Sequence, residues 1–374
     1  MAKGRLDLSL LTLPVGWDAT ALENERMADG TTYAQVASMV NSAVAQLNAE
    51  INGDPLWSSL VSYTDEAAYE YAVGTSGGFE RHTEYGRADV KRGDTTGHML
   101  PIAPWDRRLG WTWDYLRKAR ITQIEAGISD AIKDARDLFR VQTLTRLLKR
   151  GDDSGAGLGL GTGGYSPGFA TAAASTGVDF VPPTVGGTSF TTAHEHYVGI
   201  TGAAHTLALF QDAREELEEH GHVPPFTYLA GTTEETAIKN LTGFIPAADP
   251  NVRYGALQDV AARAAYYGAN GVKFIGTIEG FEVFIVRGMP QYYGFAWKSY
   301  GANSQRNPLK IRVQKNAPLR PTIQAFPDPR SGAGAVYPLQ YMMFFTEFGV
   351  GVGDRTNGTA RYVNNAAWSD GTPT

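Results

Sequence analysis

From about Tyr63 to Leu109 the chain reads as strand and turn, in the runs VSYTDEAAYEYAVG, FERHTEYGRADVKRG and GHMLPIAPWDRRLG. A ribbon that folds by itself alternates apolar and polar residues so that one face is buried. Here Glu84, Arg87, Asp89, Lys91 and Arg92 put charge on both faces. An isolated two-stranded ribbon is marginal in water, so this segment is either loose or lies on something outside its own core. The triplet Arg92 to Asp94 spells the RGD adhesion motif, but three residues match by chance in many proteins, and it is read as a charged turn.

Helical periodicity brackets the ribbon. Tyr33, Val36, Val40, Ala43, Leu47 and Ile51 recur at steps of three and four, and Thr32 with Gln35 fits a capping box, so an amphipathic helix is expected up to about Gly53 and Pro55. After the ribbon, Ile121, Ile124, Ile128, Ile132, Ala135, Leu138 and Phe139 trace one face of a long helix. Thr122 and Glu125 are its expected cap, and Gly151 its stop, with Arg146, Lys149 and Arg150 near its C-terminal dipole. At 1.5 Å per residue it spans ~40 Å, the length of a strut.

Further on, Leu207, Phe210, Ala213 and Leu217 mark a helix, FTYLAG a short buried strand, TTEETAIKNL a capped helix and GALQDVAARAAYYG another helix. VKFIGT, FEVFIVRG, YGFAWKS and LKIRVQK are antiparallel strand candidates, followed by YPLQYMMFFTEFGVGV, a turn at Asp354 to Gly358, and TARYV. The class is α+β, without internal repeat or heptad run.

The chain has 374 residues, 43% hydrophobic and 19% charged, enough for one elaborate domain or two. It has no cysteine, which excludes disulfides and thiolate metal sites. A net charge of −6 argues against a surface built to grip phosphates. Asp7 interrupts the apolar run near the start, a poor signal peptide, and the longest uncharged stretch, Ser154 to Val178, is Gly/Ala/Thr/Ser rather than membrane-spanning. A soluble protein, cytoplasmic when made, is expected.

Three groups invite a catalytic reading. GLGLGTGGYSPG contains GxGxxG (Gly159, Gly161, Gly164) and GxSxG (Gly164, Ser166, Gly168). Both motifs need a strand before and a helix after. Here a helix precedes and irregular chain follows, and Pro167 lacks the N–H that an oxyanion hole would use. Five of the seven histidines, His194, His196, His205, His220 and His222, lie close in sequence with Glu195 between the first two. HxH can ligate zinc or iron, but residues two apart diverge on a strand or helix, and only a loop would bring them together. The run EELEEH, Glu215 to His220, reads as a solvated helix face rather than an acid/base pair. No catalytic, cofactor-binding or metal residue is therefore assigned. A metal-dependent hydrolase using His194 to His222 stays as the alternative from another class.

The order of parts resembles the tailed-bacteriophage major capsid proteins of the Hong Kong 97 fold. The likeness is carried by Phe348, Gly349, Gly351, Asp354 and Arg355 in the closing strand and turn, by the helix-strand-helix stretch Leu207 to Leu241, and by the hairpin Ile278 to Pro290. The resemblance implies an N-arm over 1–59, an E-loop over 60–113, a first P-domain part over 114–190 with a spine helix at about 115–150, an A-domain over 191–318, and P-domain return strands with a tail over 319–374. It further implies a shell of pentamers and hexamers assembled in the host cytoplasm and found in the virion. The implied partners are further copies of the chain, a separate scaffolding protein unless the chain is already trimmed, a portal and a cement protein. DNA would be enclosed without sequence-specific binding, and no cofactor, membrane or enzyme activity is expected. Some members form Lys-to-Asn links between subunits; Lys91 is the only lysine well inside the E-loop, no motif marks a partner asparagine, and no link is expected. An encapsulin-type compartment around enzyme cargo is the nearest variant.

Overall fold

The capping box expected at Thr32 is formed: Thr32 N donates to Gln35 Oε1 (2.9 Å) and Gln35 N to Thr32 Oγ1 (3.3 Å). It opens helix α1, Tyr33–Gly53, whose buried stripe is Val36, Val40, Val44 and Leu47. The structure, a computed structural model, describes residues 27–53, 55–73, 94–112, 115, 118–151, 167–170, 181–183, 185–186, 188–247, 272–315, 322–327 and 339–374. The arm before residue 27, the charged ribbon tip with Glu84 to Arg92, the glycines and serine of Gly159 to Ser166, and the GALQDVAARAAYYG segment lie outside the described residues.

In chain order the remaining elements are α2 (Pro55–Leu60), β1 (Val61–Thr64), β2 (Ala68–Val73), β3 (Asp94–Met99), β4 (Ala103–Thr112), α3 (Ile121–Leu148), β5 (Tyr197–Gly199), α4 (Leu207–Glu219) and β6 (Phe226–Gly231). Then come α5 (Glu235–Lys239), β7 (Ile245–Pro246), β8 (Val272–Ile278), β9 (Phe281–Val286), β10 (Tyr293–Trp297), β11 (Leu309–Val313), β12 (Gln324–Pro327), β13 (Leu339–Val352) and β14 (Thr359–Tyr362). They fall into two compact units, one of residues 1–53, 103–139 and 321–348, the other of 54–102, 140–320 and 349–374.

In the first unit, β4 pairs antiparallel with β13 from Leu339↔Thr112 to Phe348↔Ala103, and β12 pairs with the same strand from Gln324↔Phe345 to Pro327↔Met342. Phe348 stacks on Phe139 of the strut helix (4.4 Å), and Trp105 Nε1 donates to its carbonyl (3.4 Å). The strut helix starts one residue before the expected cap. Thr122 and Glu125 do not cap it; Arg120 N donates to Gln123 Oε1 (3.0 Å) and Ile121 N to Asp29 Oδ2 (2.7 Å). A carboxylate from distant sequence thus takes a first-turn donor, as an N-terminal dipole favours.

In the second unit a seven-stranded sheet runs β5-β14-β10-β6-β9-β8-β7. Helix α4 lays Leu209, Phe210, Ala213 and Leu217 on it, against Phe226, Tyr228, Phe281 and Ile285. Burying four such side chains is worth several kcal/mol, at ~1.5–3 for each large one. Two expectations are corrected here. FEVFIV pairs parallel with FTYLAG, and LKIRV pairs parallel with Val61–Thr64, so the late strands are not all antiparallel. The sequence shows alternation and burial but not the partner, and parallel pairing needs a crossover read only in three dimensions. TTEETAIKNL becomes a 3-10 turn plus a five-residue helix without a side-chain cap hydrogen bond, because buried Glu234 instead accepts from His205 and Tyr292 N.

The base of the ribbon, β2 with β3, is an antiparallel pair from Ala68↔Met99 to Val73↔Asp94. Its inner face holds Tyr69 and His98, while Ala68, Glu70, Gly97 and Met99 are exposed. His98 Nε2–H donates to Val352 O (2.9 Å), and Lys310 Nζ lies 4.3 Å over the Tyr69 ring. The base is therefore anchored on this unit. No helix among the described residues is long and apolar enough to cross a membrane.

Candidate functional site

The residues that lead into β5 are a loop, and that is why His194 and His196 meet. The loop is pinned by His196 N donating to Ala170 O (2.6 Å) and Ala360 N donating to His196 O (2.8 Å). From the other side, α4 ends at His220, where Gly221 turns the chain with a φ of +78° and Gly221 N donates to Glu218 O (2.9 Å). A side chain resists that left-handed conformation, so glycine fits the position. The result is a triangle of ring nitrogens: Nε2 of His194 to Nε2 of His196 is 3.0 Å, His194 to His220 is 2.9 Å and His196 to His220 is 2.8 Å.

His196 and His220 are buried and His194 is half-buried. Phe190 covers the group, stacked 4.4 Å from the His220 ring and 4.8 Å from that of His194. His196 Nδ1–H donates to Gly358 O (2.7 Å), which leaves the Nε2 of the neutral ring with its lone pair. Glu219 Oε1 lies 3.4 Å from His194 Nε2 and 3.9 Å from His220 Nε2. Burial, then the neighbouring His194, holds His196 well below the ordinary imidazole value; burial pushes His220 down to about 2 and also lowers His194. Burial raises Glu219, with Glu216 adding to it. The three histidines are poised as neutral rings beside one carboxyl group.

The other sequence candidates part from this group. His205 pairs with buried Glu234 (3.0 Å), and His222 bonds Tyr300 Oη (2.7 Å) and Thr356 Oγ1 (3.3 Å). Glu195 faces Arg150. The EELEEH run is a solvated face only in part: Glu215 is exposed and Glu218 pairs with Arg214 (2.7 Å). Glu216, by contrast, holds Thr359 Oγ1 and buried Arg361. The closing-turn residues have structural work: Asp354 Oδ1 accepts from Thr356 N (3.1 Å) and Oγ1 (2.7 Å), and buried Arg355 donates through Nε to Gly168 O (2.9 Å). Sequence reasoning had singled out both the HxH, which only a loop could bring together, and the EELEEH run that contains Glu219 and His220, but it did not join Glu219 and His220 to His194 and His196 in one group.

No protein-family profile matches the sequence, and no curated protein matches it either. Among solved structures, the chain is similar to one from Mycobacterium phage Patience, at 21% identity over 92% of each chain with a TM-score of 0.63. It also aligns, more distantly, with the mature capsid of bacteriophage PhiM1, at 14% identity over 83% of this chain and 87% of that one, TM-score 0.47. The capsid of a native GTA particle aligns at 12% identity over 84% and 90%, TM-score 0.47. The Patience likeness covers nine-tenths of both chains, and the chain has the α+β Hong Kong 97-like fold.

Proposed function

We propose that the chain is the major capsid protein of a tailed double-stranded DNA phage, self-assembling into the pentamers and hexamers of an icosahedral shell. The observation that supports this best is the fold likeness over nine-tenths of both chains. The ribbon supplies the physical reason. Its base is tied to the sheet-bearing unit by His98 and Tyr69, its outer face is exposed at Ala68, Glu70, Gly97 and Met99, and the sequence between its strands carries Glu84, Arg87, Asp89, Lys91 and Arg92. Such a strip gains partners when it lies across a neighbouring copy, and association then supplies the stabilisation. In this reading residues 1–59 are the N-arm, 60–113 the E-loop, 191–318 the A-domain, and the rest the P-domain. Arm and loop act as clamps, the role is structural rather than catalytic, and scaffold, portal and cement proteins join in assembly. The acidic balance suits a lumen through which DNA slides.

Val73 and Asp94 face one another in register, so an Asn-Gly turn can replace residues 74–93 and keep the ribbon base. That variant is expected to stay soluble and folded by circular dichroism yet form no closed shells under electron microscopy. Shells of normal size from the shortened chain would remove the clamp role. Nuclease-protected DNA in particles from infected cells separates a phage shell from an encapsulin-type compartment.

A further inference from the structure

We propose that His194, His196, His220 and Glu219 form a structural site for a divalent transition-metal ion, zinc above all, that fastens the loop before β5 to the end of α4. Each neutral imidazole Nε2 is either an N–H donor or a lone-pair acceptor. Three such atoms lie within 2.8–3.0 Å of one another. With two kinds of atom in a triangle, at least two are alike, so one contact always sets donor against donor or lone pair against lone pair. His196 already commits its Nδ1–H to Gly358 O, which fixes its Nε2 as a lone pair. Protonating a ring would add a buried charge, which costs several kcal/mol in a low-dielectric site. One cation bound by three lone pairs satisfies all three contacts at once.

The geometry agrees. For a triangle of 2.8–3.0 Å edges, an ion ~2.0–2.1 Å from each nitrogen sits roughly 1.2 Å out of their plane with N–ion–N angles of about 90°, and opening each edge by about 0.4 Å gives the tetrahedral arrangement that zinc prefers. Glu219 Oε1, 3.4 Å and 3.9 Å from two of the nitrogens, is the fourth ligand on hand. The His196 Nδ1–H bond to a backbone carbonyl is the outer contact that orients a ligating histidine and fixes its tautomer. Imidazole donors select zinc, copper, nickel or cobalt over calcium and magnesium, which take oxygen ligands. Burial of two ligands, the Phe190 cover and a complete four-ligand set point to a closed structural site rather than an open catalytic one. The inference needs no shell and is independent of the capsid reading.

The test uses the full purified chain, stripped with chelator and titrated calorimetrically with zinc chloride. The expected result is one ion per chain and a thermal midpoint raised by about 5 °C when free zinc stands a thousandfold above Kd. Cobalt(II) loading is expected to give the visible spectrum of a four-coordinate ion with nitrogen ligands. His194→Ala and His220→Gln are each expected to weaken zinc at least ~100-fold, more than loss of an outer-shell contact does. Should either variant fail to fold, the cobalt spectrum of the unmodified chain decides. Folded chain that takes up no zinc at micromolar concentration, retains the spectrum of hydrated cobalt, or binds zinc as tightly in both variants overturns the site.

Discussion

Gly358 shows how one residue serves two roles in this chain. Its carbonyl accepts the Nδ1–H of His196, and a Cβ in its place would lie 2.7 Å from the rings of both Phe169 and Phe295. Both rings are fully buried and cannot move away without displacing neighbours. Gly358→Ala is therefore expected to destabilise the fold by ~1–3 kcal/mol through overpacking, read as a lower urea midpoint at unchanged slope. An unchanged midpoint would mean the space around Gly358 is looser than the structure shows. At this scale the sequence was legible where chemistry is local: Thr32 and Gln35 form the expected box, and Phe348 and Arg355, singled out from sequence, are both buried. It was not legible where the partner is distant. Asp29 capping the helix at Ile121, and His220 meeting a loop 24 residues away in sequence, depend on contacts that no local period encodes.

Among the elements, the ribbon base depends on how His98 is held. Burial drives its pKa down to about 4, the Val352 carbonyl opposes this, and the cations Arg355, Arg146 and Lys310 push in the same direction as burial. The folded state thus keeps the ring neutral, while the unfolded chain takes up a proton near pH 6.5. Since the unfolded state binds the extra proton first, this contribution is fully present above pH 6.5 and is lost as pH falls towards 4. The loss is on the order of 3 kcal/mol. Comparing urea midpoints of the wild type and His98→Asn at pH 7.5 and 4.5 isolates it from the other buried histidines. The wild type is expected to fall more steeply; parallel falls would show that His98 titrates normally. Element identity was readable from period: the helical stripes and FTYLAG stand where expected. Element pairing was not, since parallel partners such as β6 with β9, and β1 with β11, are fixed by crossovers rather than by alternation.

For the whole molecule, each described unit has a core of its own, and the chain also carries a ribbon whose base is exposed on one face. The chain further has a mixed seven-stranded sheet and a 28-residue strut, parts that the shell proposed above would join across copies. The fold class was readable from the order of these parts, and the histidine site was not, because it arises where the loop before β5 meets the end of α4. Electron microscopy of the concentrated, purified full-length chain tests this most directly. The prediction is closed icosahedral shells, or rings of five and six copies on the way to them; a field of dispersed monomers at every concentration would contradict it.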